Sequence, residues 1–94
     1  MIRSFTGRNT ERFFEGQRVR DFQSFDDRAT RRLAILDNAE SLHDLSALSS
    51  NRLESLSGDR VGQYSIRINR QWRICFRWKD DGPYDVEIVD LPLN

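Results

Sequence analysis

The stretch "GQYSIRINRQWRICFRWKDDGPYDVEIVD", residues 62–90, decides the fold. Apolar side chains take every second position in its first two segments: Tyr64, Ile66 and Ile68, then Trp72, Ile74, Phe76 and Trp78. Such alternation is typical of strands with one face in a core. The turn formers "NRQ" and "DDGP" divide the stretch into strands at about 62–69, 72–79 and 84–90. The sequence therefore predicts a three-stranded antiparallel meander whose tryptophans and Tyr64 belong to the core.

The preceding residues predict a strand and two helices. "MIRSF" opens the chain as a short strand, and "NTERFFEG" predicts a helix that is capped by Asn9 or Thr10 and ends at Gly16. "FDDRATRRLAILDNAESLHDL" has helical apolar spacing and predicts one long helix, while residues 44–62 show no clean period and predict a surface loop. We expect a single α+β domain over residues 1–94, with the helices on one face of the sheet.

The net charge is zero, but the charges are unevenly placed. Residues 52–79 carry seven cations and two anions, whereas residues 80–94 carry five anions and no cation; 14 of the chain's 15 cations are arginines. The sequence leaves two interpretations open for the arginines on the polar side of the meander. They form cross-strand ion pairs with Asp85 and Glu87, or they bind phosphate, which matches the planar guanidinium fork. The residues concerned are Arg67, Arg73 and Arg77.

A second arginine cluster lies near the start of the long predicted helix: Arg28, Arg31 and Arg32. Solvent exposure is the ordinary explanation of such a cluster. The alternative is contact with nucleic acid or with an acidic surface of a partner.

Several functional classes are excluded by what the sequence lacks. It has no apolar run long enough for a membrane span and no secretory leader, so we expect a soluble, cytoplasmic protein. Cys75 is the only cysteine and His43 the only histidine, so neither a disulfide nor a zinc site is predicted, and no cofactor is expected. By alternation Cys75 is predicted to face outward as an ordinary strand residue, and His43 to lie on the surface.

Cleavage of RNA remains chemically possible for this sequence. The substrate supplies its own 2′-hydroxyl as nucleophile, so the protein needs a proton acceptor, a cation for the phosphorane and an acid for the leaving oxygen. An arginine on a strand suits the second role, because the strand holds it rigidly.

Residues 51–90 resemble the HigB-type killer proteins of the RelE/ParE toxin superfamily. The most specific motifs are "GDRVGQYSIRIN", "QWRICF" and "VEIVD" in that order, and "MIRSF" and "RRLAILDNAESLHDL" extend the resemblance over nearly the whole chain. The resemblance implies the α+β fold and cleavage of messenger RNA on translating ribosomes. It also implies a HigA-like helix-turn-helix antitoxin that neutralises the toxin and represses the shared operon, with operator DNA contacted only through that antitoxin.

The resemblance also implies roles for individual residues. Arg73 matches the arginine that contacts the scissile phosphate, and Asp90 matches an active-site carboxylate. Arg52 and Arg60 lie in the loop that borders the family's cleft. With the other cations of the meander they form the expected RNA-binding set: Arg52, Arg60, Arg67, Arg77 and Lys79.

The sequence departs from the family pattern at positions that exchange protons. Many relatives follow the aspartate with Tyr-His, where this chain has Leu91 and Pro92, and they carry His and Lys where it has Glu54 and Ser57. Glu54 is the candidate general base, unless it pairs with Arg52 or Arg60. A ribonuclease weakened by these changes is the leading hypothesis. The alternatives are a non-cleaving toxin-like inhibitor, which binds gyrase or acts mainly through its antitoxin complex, and a structural domain with ion-paired strands.

Overall fold

The computed structural model describes residues 1–91 as an α+β fold built on a four-stranded antiparallel sheet of order β1-β2-β3-β4. The strands are β1 (Glu54–Ser55), β2 (Tyr64–Arg67), β3 (Trp72–Lys79) and β4 (Gly82–Asp90). The α-helices are α1 (Arg8–Phe14), α2 (Asp26–Asn38) and α3 (Leu42–Ala47), and 3₁₀ turns span Arg20–Phe25, Ser49–Asn51 and Gly58–Arg60. Within residues 1–91, no helix is long and apolar enough to cross a bilayer.

The predicted meander is confirmed, and its register explains the core. Ile66 lies opposite Ile74, and Ile74 lies opposite Ile88, so one row of isoleucines crosses three strands on the same face. All three are buried in one cluster with Leu33 and Leu36 of α2. The helices therefore pack on this face of the sheet, as the alternation predicts.

The sequence prediction of one long helix over residues 25–45 is wrong. The chain makes a 3₁₀ turn up to Phe25, α2 ends at Asn38, and Ala39 is extended. Ser41 then caps α3, because its hydroxyl accepts a hydrogen bond from the Asp44 amide at 3.2 Å. A serine in this position satisfies one of the free N–H groups at a helix start and so favours a new helix over continuation of the old one.

The opening segment pairs with β4, although only one residue pair forms a regular bridge. Phe5 bridges Val86 in parallel, and the Val86 amide donates to the Ser4 carbonyl at 3.0 Å. Farther along, the Ile88 amide donates to the hydroxyl of Thr10, a residue 78 positions earlier in the chain. The N-terminal segment and the start of α1 thus hold the edge of β4 that β3 leaves free.

The prediction that residues 44–62 form an irregular surface loop is also wrong. This segment contains most of α3, two 3₁₀ turns and β1, which adds a fourth strand to the sheet by pairing with β2. The buried Asn51 anchors it, because its side-chain amide donates to the Leu45 carbonyl at 3.0 Å. We call residues 49–57 the covering segment, because it runs along the edge of β2 and its Arg52 carbonyl accepts a hydrogen bond from Arg73 on the face opposite the isoleucine row.

The helix-to-sheet core gives a first test. Leu33→Ala removes a side chain that is 1% exposed, so it should lower the free energy of unfolding by about 2–5 kcal/mol through lost burial and a residual cavity. Urea unfolding followed by circular dichroism measures this. Leu48→Ala is the matched control, because Leu48 is 43% exposed and should cost under ~1 kcal/mol. Equal losses for the two variants would show that α2 does not pack as described.

Candidate active site and arginine pocket

The sheet face opposite the isoleucine row is polar in sequence but largely closed in structure. Cross-strand partners share a face, and the partnerships place Ser65, Arg73 and Cys75 together on this side. All three are buried. Alternation identifies the face on which a side chain lies, but the covering segment decides whether that face meets solvent.

Arg73 is at the centre of this face and is only 1% exposed. Its Nε donates to Ser65 Oγ at 2.6 Å, and its Nη2 donates to the Arg52 carbonyl oxygen at 2.6 Å and, at 3.4 Å, to that of Ser65. Arg73, which the resemblance matches to the arginine that contacts the scissile phosphate, is therefore not open to solvent in this structure. Three hydrogen bonds tie its guanidinium to β2 and to the covering segment instead.

One edge of the Arg73 guanidinium has no hydrogen-bond partner. Nη1 is buried and, among residues 1–91, no acceptor lies within reach of it. Burial lowers the pKa of Arg73, and the charge of Glu54 is the largest effect raising it. An arginine stays charged despite such a shift. A buried cationic donor without an acceptor is costly, typically ~1–3 kcal/mol or more, and such groups are found where a ligand or a reaction uses them.

Glu54 lies one strand away from Ser65, to which it is paired in register. Its side chain is exposed, and it makes no ion pair within 4.0 Å with any residue of the described chain. The alternative in which Glu54 pairs with Arg52 or Arg60 is not what the structure has. Glu54 is therefore a solvent-facing carboxylate whose negative charge raises the pKa of Arg73.

Asp90 is not brought onto the Arg73 face by the strand register. It ends β4 opposite Trp72, whereas Val89 lies opposite Arg73. Its carboxylate accepts a hydrogen bond from Gln71 Nε2 at 2.9 Å and is exposed at the sheet end. Leu91 follows with its amide bound to the Gln71 carbonyl, and Pro92 lies outside the described residues.

Three of the predicted RNA-binding cations interact with other side chains of the same chain. Arg60 pairs with Glu87 at 3.6 Å, Arg77 pairs with Asp85 at 3.6 Å, and Lys79 Nζ lies 4.5 Å from the ring centroid of Tyr84. Lys79 is also six residues along β3 from Arg73, which is roughly 20 Å in a strand. The cross-strand ion-pair interpretation thus holds for Arg77 but for neither Arg67 nor Arg73.

In the structure, the α2 arginines and two members of the predicted RNA-binding set line one space, which we call the arginine pocket. Its volume is about 410 Å³. It is lined by Arg28, Arg31, Arg32, Ser50, Arg52, Arg67, Ile68 and Asn69. The spacing i, i+3, i+4 of the three α2 arginines could have shown that they share one helix face. Nothing in the sequence indicates that Arg52 and Arg67 come to the same place.

Arg32 holds the pocket together. Its Nη1 donates to Asn51 Oδ1 at 2.8 Å and to Ser50 Oγ at 3.3 Å, so it ties α2 to the 3₁₀ turn just before Arg52. Burial lowers the pKa of Arg32, and the charges of Arg31 and Arg28 lower it further. These shifts have the sign expected where cations crowd together without a neutralising carboxylate.

The prediction that Cys75 faces outward into solvent is wrong. Cys75 is buried although it lies on the polar face of the sheet, and burial raises the pKa of its thiol to about 11. His43, by contrast, is exposed on α3 as predicted. The two residues lie on different elements and form no catalytic pair.

Comparison with known proteins identifies relatives of the whole chain. The family model for the RelE-like toxin HigB of type II toxin-antitoxin systems matches residues 3–92. The Toxin HigB-1 of Vibrio cholerae is 35% identical over 82 residues, which covers 85% of this chain and 86% of that protein. The Endoribonuclease HigB of Proteus vulgaris is 31% identical over 91 residues, with 96% and 98% covered.

Solved structures support the fold independently. The YoeB dimer from Staphylococcus aureus superposes with a TM-score of 0.53 at 20% identity, covering 99% of this chain and 94% of that one. A YoeB/ParE toxin from Agrobacterium tumefaciens gives a TM-score of 0.50 at 18% identity, with 98% of each chain covered. Because the identity is low, these likenesses concern the fold alone.

The hydrogen bond from Arg73 to Ser65 can be tested through stability. Ser65→Ala leaves a buried cationic donor without its acceptor, so the free energy of unfolding should fall by about 1–3 kcal/mol. Ser55→Ala, at an exposed position of β1, is the matched control and should change it by less than ~0.5 kcal/mol. Chemical denaturation of both variants decides the matter, and equal stability would mean that Ser65 does not hold the guanidinium.

The buried thiol gives a second test. A thiol with a pKa near 11 is almost fully protonated at pH 8, and Cys75 is also shielded from reagent. The native protein should therefore react with iodoacetamide at least ~100-fold more slowly than the urea-unfolded protein, as followed by intact mass. Rapid labelling of the folded protein would contradict the closed state of this face.

Proposed function

Because this chain belongs to the HigB family of RelE-like toxins of type II toxin-antitoxin systems, we propose that it is an endoribonuclease that cleaves messenger RNA in the translating ribosome. The relative from Proteus vulgaris carries the name endoribonuclease, and the fold here is that of RelE-like toxins. The observation that carries the proposal is the buried, charged Arg73 with an unused donor, set close to the exposed carboxylate of Glu54.

These two groups meet the main demands of RNA cleavage. In the proposed reaction Glu54 accepts the proton of the 2′-hydroxyl, which attacks the adjacent phosphorus. Arg73 donates hydrogen bonds to the phosphoryl oxygens, where negative charge builds up. The 5′-oxygen of the next nucleotide leaves and takes up a proton, which gives a 2′,3′-cyclic phosphate end. No metal is needed for these steps, because the guanidinium supplies the positive charge.

For Arg73 to reach a phosphate, the covering segment has to move. Arg52, whose carbonyl accepts the Nη2 hydrogen bond, has φ 46 and ψ 54, a left-handed conformation that costs a non-glycine residue about 1–2 kcal/mol. β1 adds only two residues to the sheet. We infer that RNA binding displaces the Arg52 carbonyl, and that a phosphate oxygen replaces it as the acceptor. Release of the strained backbone offsets part of the cost.

Proton transfer to the leaving group is the step for which the proposed site offers the fewest suitable side chains. Asp90 is the remaining acidic group at the sheet end, and it is positioned by Gln71. The side chain of Leu91 cannot exchange a proton. We therefore propose that Asp90 orients substrate and that solvent or ribosomal RNA supplies the leaving-group proton, which makes the enzyme slower than relatives with Tyr-His at these positions.

Membership of a toxin-antitoxin family means that the partner of this protein is an antitoxin. We propose that it is a HigA-like helix-turn-helix protein that neutralises the toxin and binds the operator of their shared operon, and that both proteins act in the cytoplasm. Cationic surfaces favour association with acidic ones.

A non-cleaving toxin-like inhibitor, such as a gyrase-binding one, is the second candidate. The closed state of Arg73 and the missing proton donors at Leu91 favour it. The two candidates differ in one product, since only a nuclease creates new RNA ends.

Mapping of messenger RNA 5′ ends after induction without antitoxin tests the proposal. The parent protein should generate new ends at positions phased with codons. Glu54→Gln should reduce their rate of appearance by about 10²–10⁴-fold, because the proton acceptor is lost while an exposed side chain keeps its size. Glu40→Gln, at another exposed position, is the control and should cleave like the parent. Growth arrest without new ends in any of the three would refute the nuclease and favour the binding inhibitor.

A further inference from the structure

The arginine pocket carries more positive charge than its surroundings neutralise. Five arginines line a space of about 410 Å³, and no carboxylate of the described chain is among its lining residues. None of the five makes an ion pair within 4.0 Å with residues 1–91. Like charges held this close repel one another and create a strong positive potential, so the site favours an anionic ligand.

Hydrogen bonds to a buried side chain hold the wall of the pocket in place. Arg32 is hydrogen-bonded to Asn51 and Ser50, and Asn51 is itself fully buried and bonded to the Leu45 carbonyl. These bonds fix α2 and α3 to the 3₁₀ turn, which in turn contacts β2. The volume also falls within the ~300–1,000 Å³ range typical of ligand pockets. Arg32 is a positioning residue, whereas Arg28 and Arg31 are exposed and free to meet a ligand.

The pocket shares a wall with the candidate active site. Arg67 lies opposite Arg73 in the strand register, and the Arg52 carbonyl is the group that covers Arg73. Any chain of phosphates that reaches Arg73 from this side must pass Arg52 and Arg67. Ile68 and Asn69 give the same wall an apolar surface and an amide, which suit a ribose or a base.

We propose that the arginine pocket binds a backbone phosphate of single-stranded RNA adjacent to the phosphate that is cleaved. Arg28 and Arg31 would grip the phosphate through their guanidinium forks, and Arg67 would bridge the pocket to the Arg73 face. Filling the pocket also draws Arg52 away from Arg73, so binding here and opening of the covering segment are coupled. The proposal rests on the proposed nuclease function for its choice of RNA as ligand and for the cleaved phosphate next to the pocket.

An acidic protein segment is the competing occupant, because carboxylates fit the same forks. Asp26 and Asp27 line an adjoining pocket that shares Arg28 and Asn69 with this one. A long acidic segment entering from that side would meet these like charges. A single strand of RNA can instead continue away from α2 toward β2, where the arginines continue.

Binding of a non-cleavable RNA tests the proposal. A fluorescent, fully 2′-O-methylated oligonucleotide is titrated with parent protein and with Arg28→Gln/Arg31→Gln over a range of salt concentrations. Loss of both guanidinium contacts to this one phosphate should weaken binding by about tenfold or more and reduce the slope of log affinity against log salt by about 0.7. Arg8→Gln/Arg12→Gln on α1, which packs near β4, is the matched control and should bind like the parent.

Two results would overturn the proposal. If the α2 double variant binds RNA like the control, the pocket does not hold a phosphate of the strand. If it binds RNA normally but loses affinity for the antitoxin, the pocket belongs to an acidic protein partner. The 5′-end mapping is independent of both results: new ends with unaltered RNA binding would refute the pocket and keep the nuclease. Pocket-dependent RNA binding without new ends would support the pocket and refute the nuclease.

Discussion

A buried guanidinium connects the parts of this molecule on which its chemistry depends. Arg73 bonds at once to the Ser65 hydroxyl on β2 and to the Arg52 carbonyl in the covering segment. It therefore fixes the segment to the sheet and is itself hidden by the contact. The cost of hiding a charge is only partly offset, because Nη1 remains without an acceptor.

The distribution of ion pairs explains how a chain of zero net charge can still attract phosphate. Three acidic residues of the C-terminal part form ion pairs within the chain: Asp81 with Arg3, Asp85 with Arg77, and Glu87 with Arg60. The excess positive charge is left on the other side, where α2 meets the end of β2. Local separation of charge, rather than total charge, sets the electrostatic field that a ligand experiences.

The sheet could be predicted from the sequence, but the position of the covering segment could not. Alternation in β2 and β3 reports which side chains share a face, and the isoleucine row follows from it directly. The burial of Arg73 depends on where Arg52 packs, and the two-residue strand that follows leaves no periodic signal. The same limit applies to the arginine pocket. Its α2 half is visible as helical spacing, whereas Arg52 and Arg67 join it only through tertiary structure.

The pairing of the opening segment with β4 has a consequence for biosynthesis. Thr10 of the first helix bonds to Ile88, which is synthesised 78 positions later. The complete sheet therefore cannot form while β4 is still inside the ribosomal exit tunnel. During translation the edge of β4 is therefore not yet covered by the N-terminal segment, so this edge is the last part of the sheet to be completed.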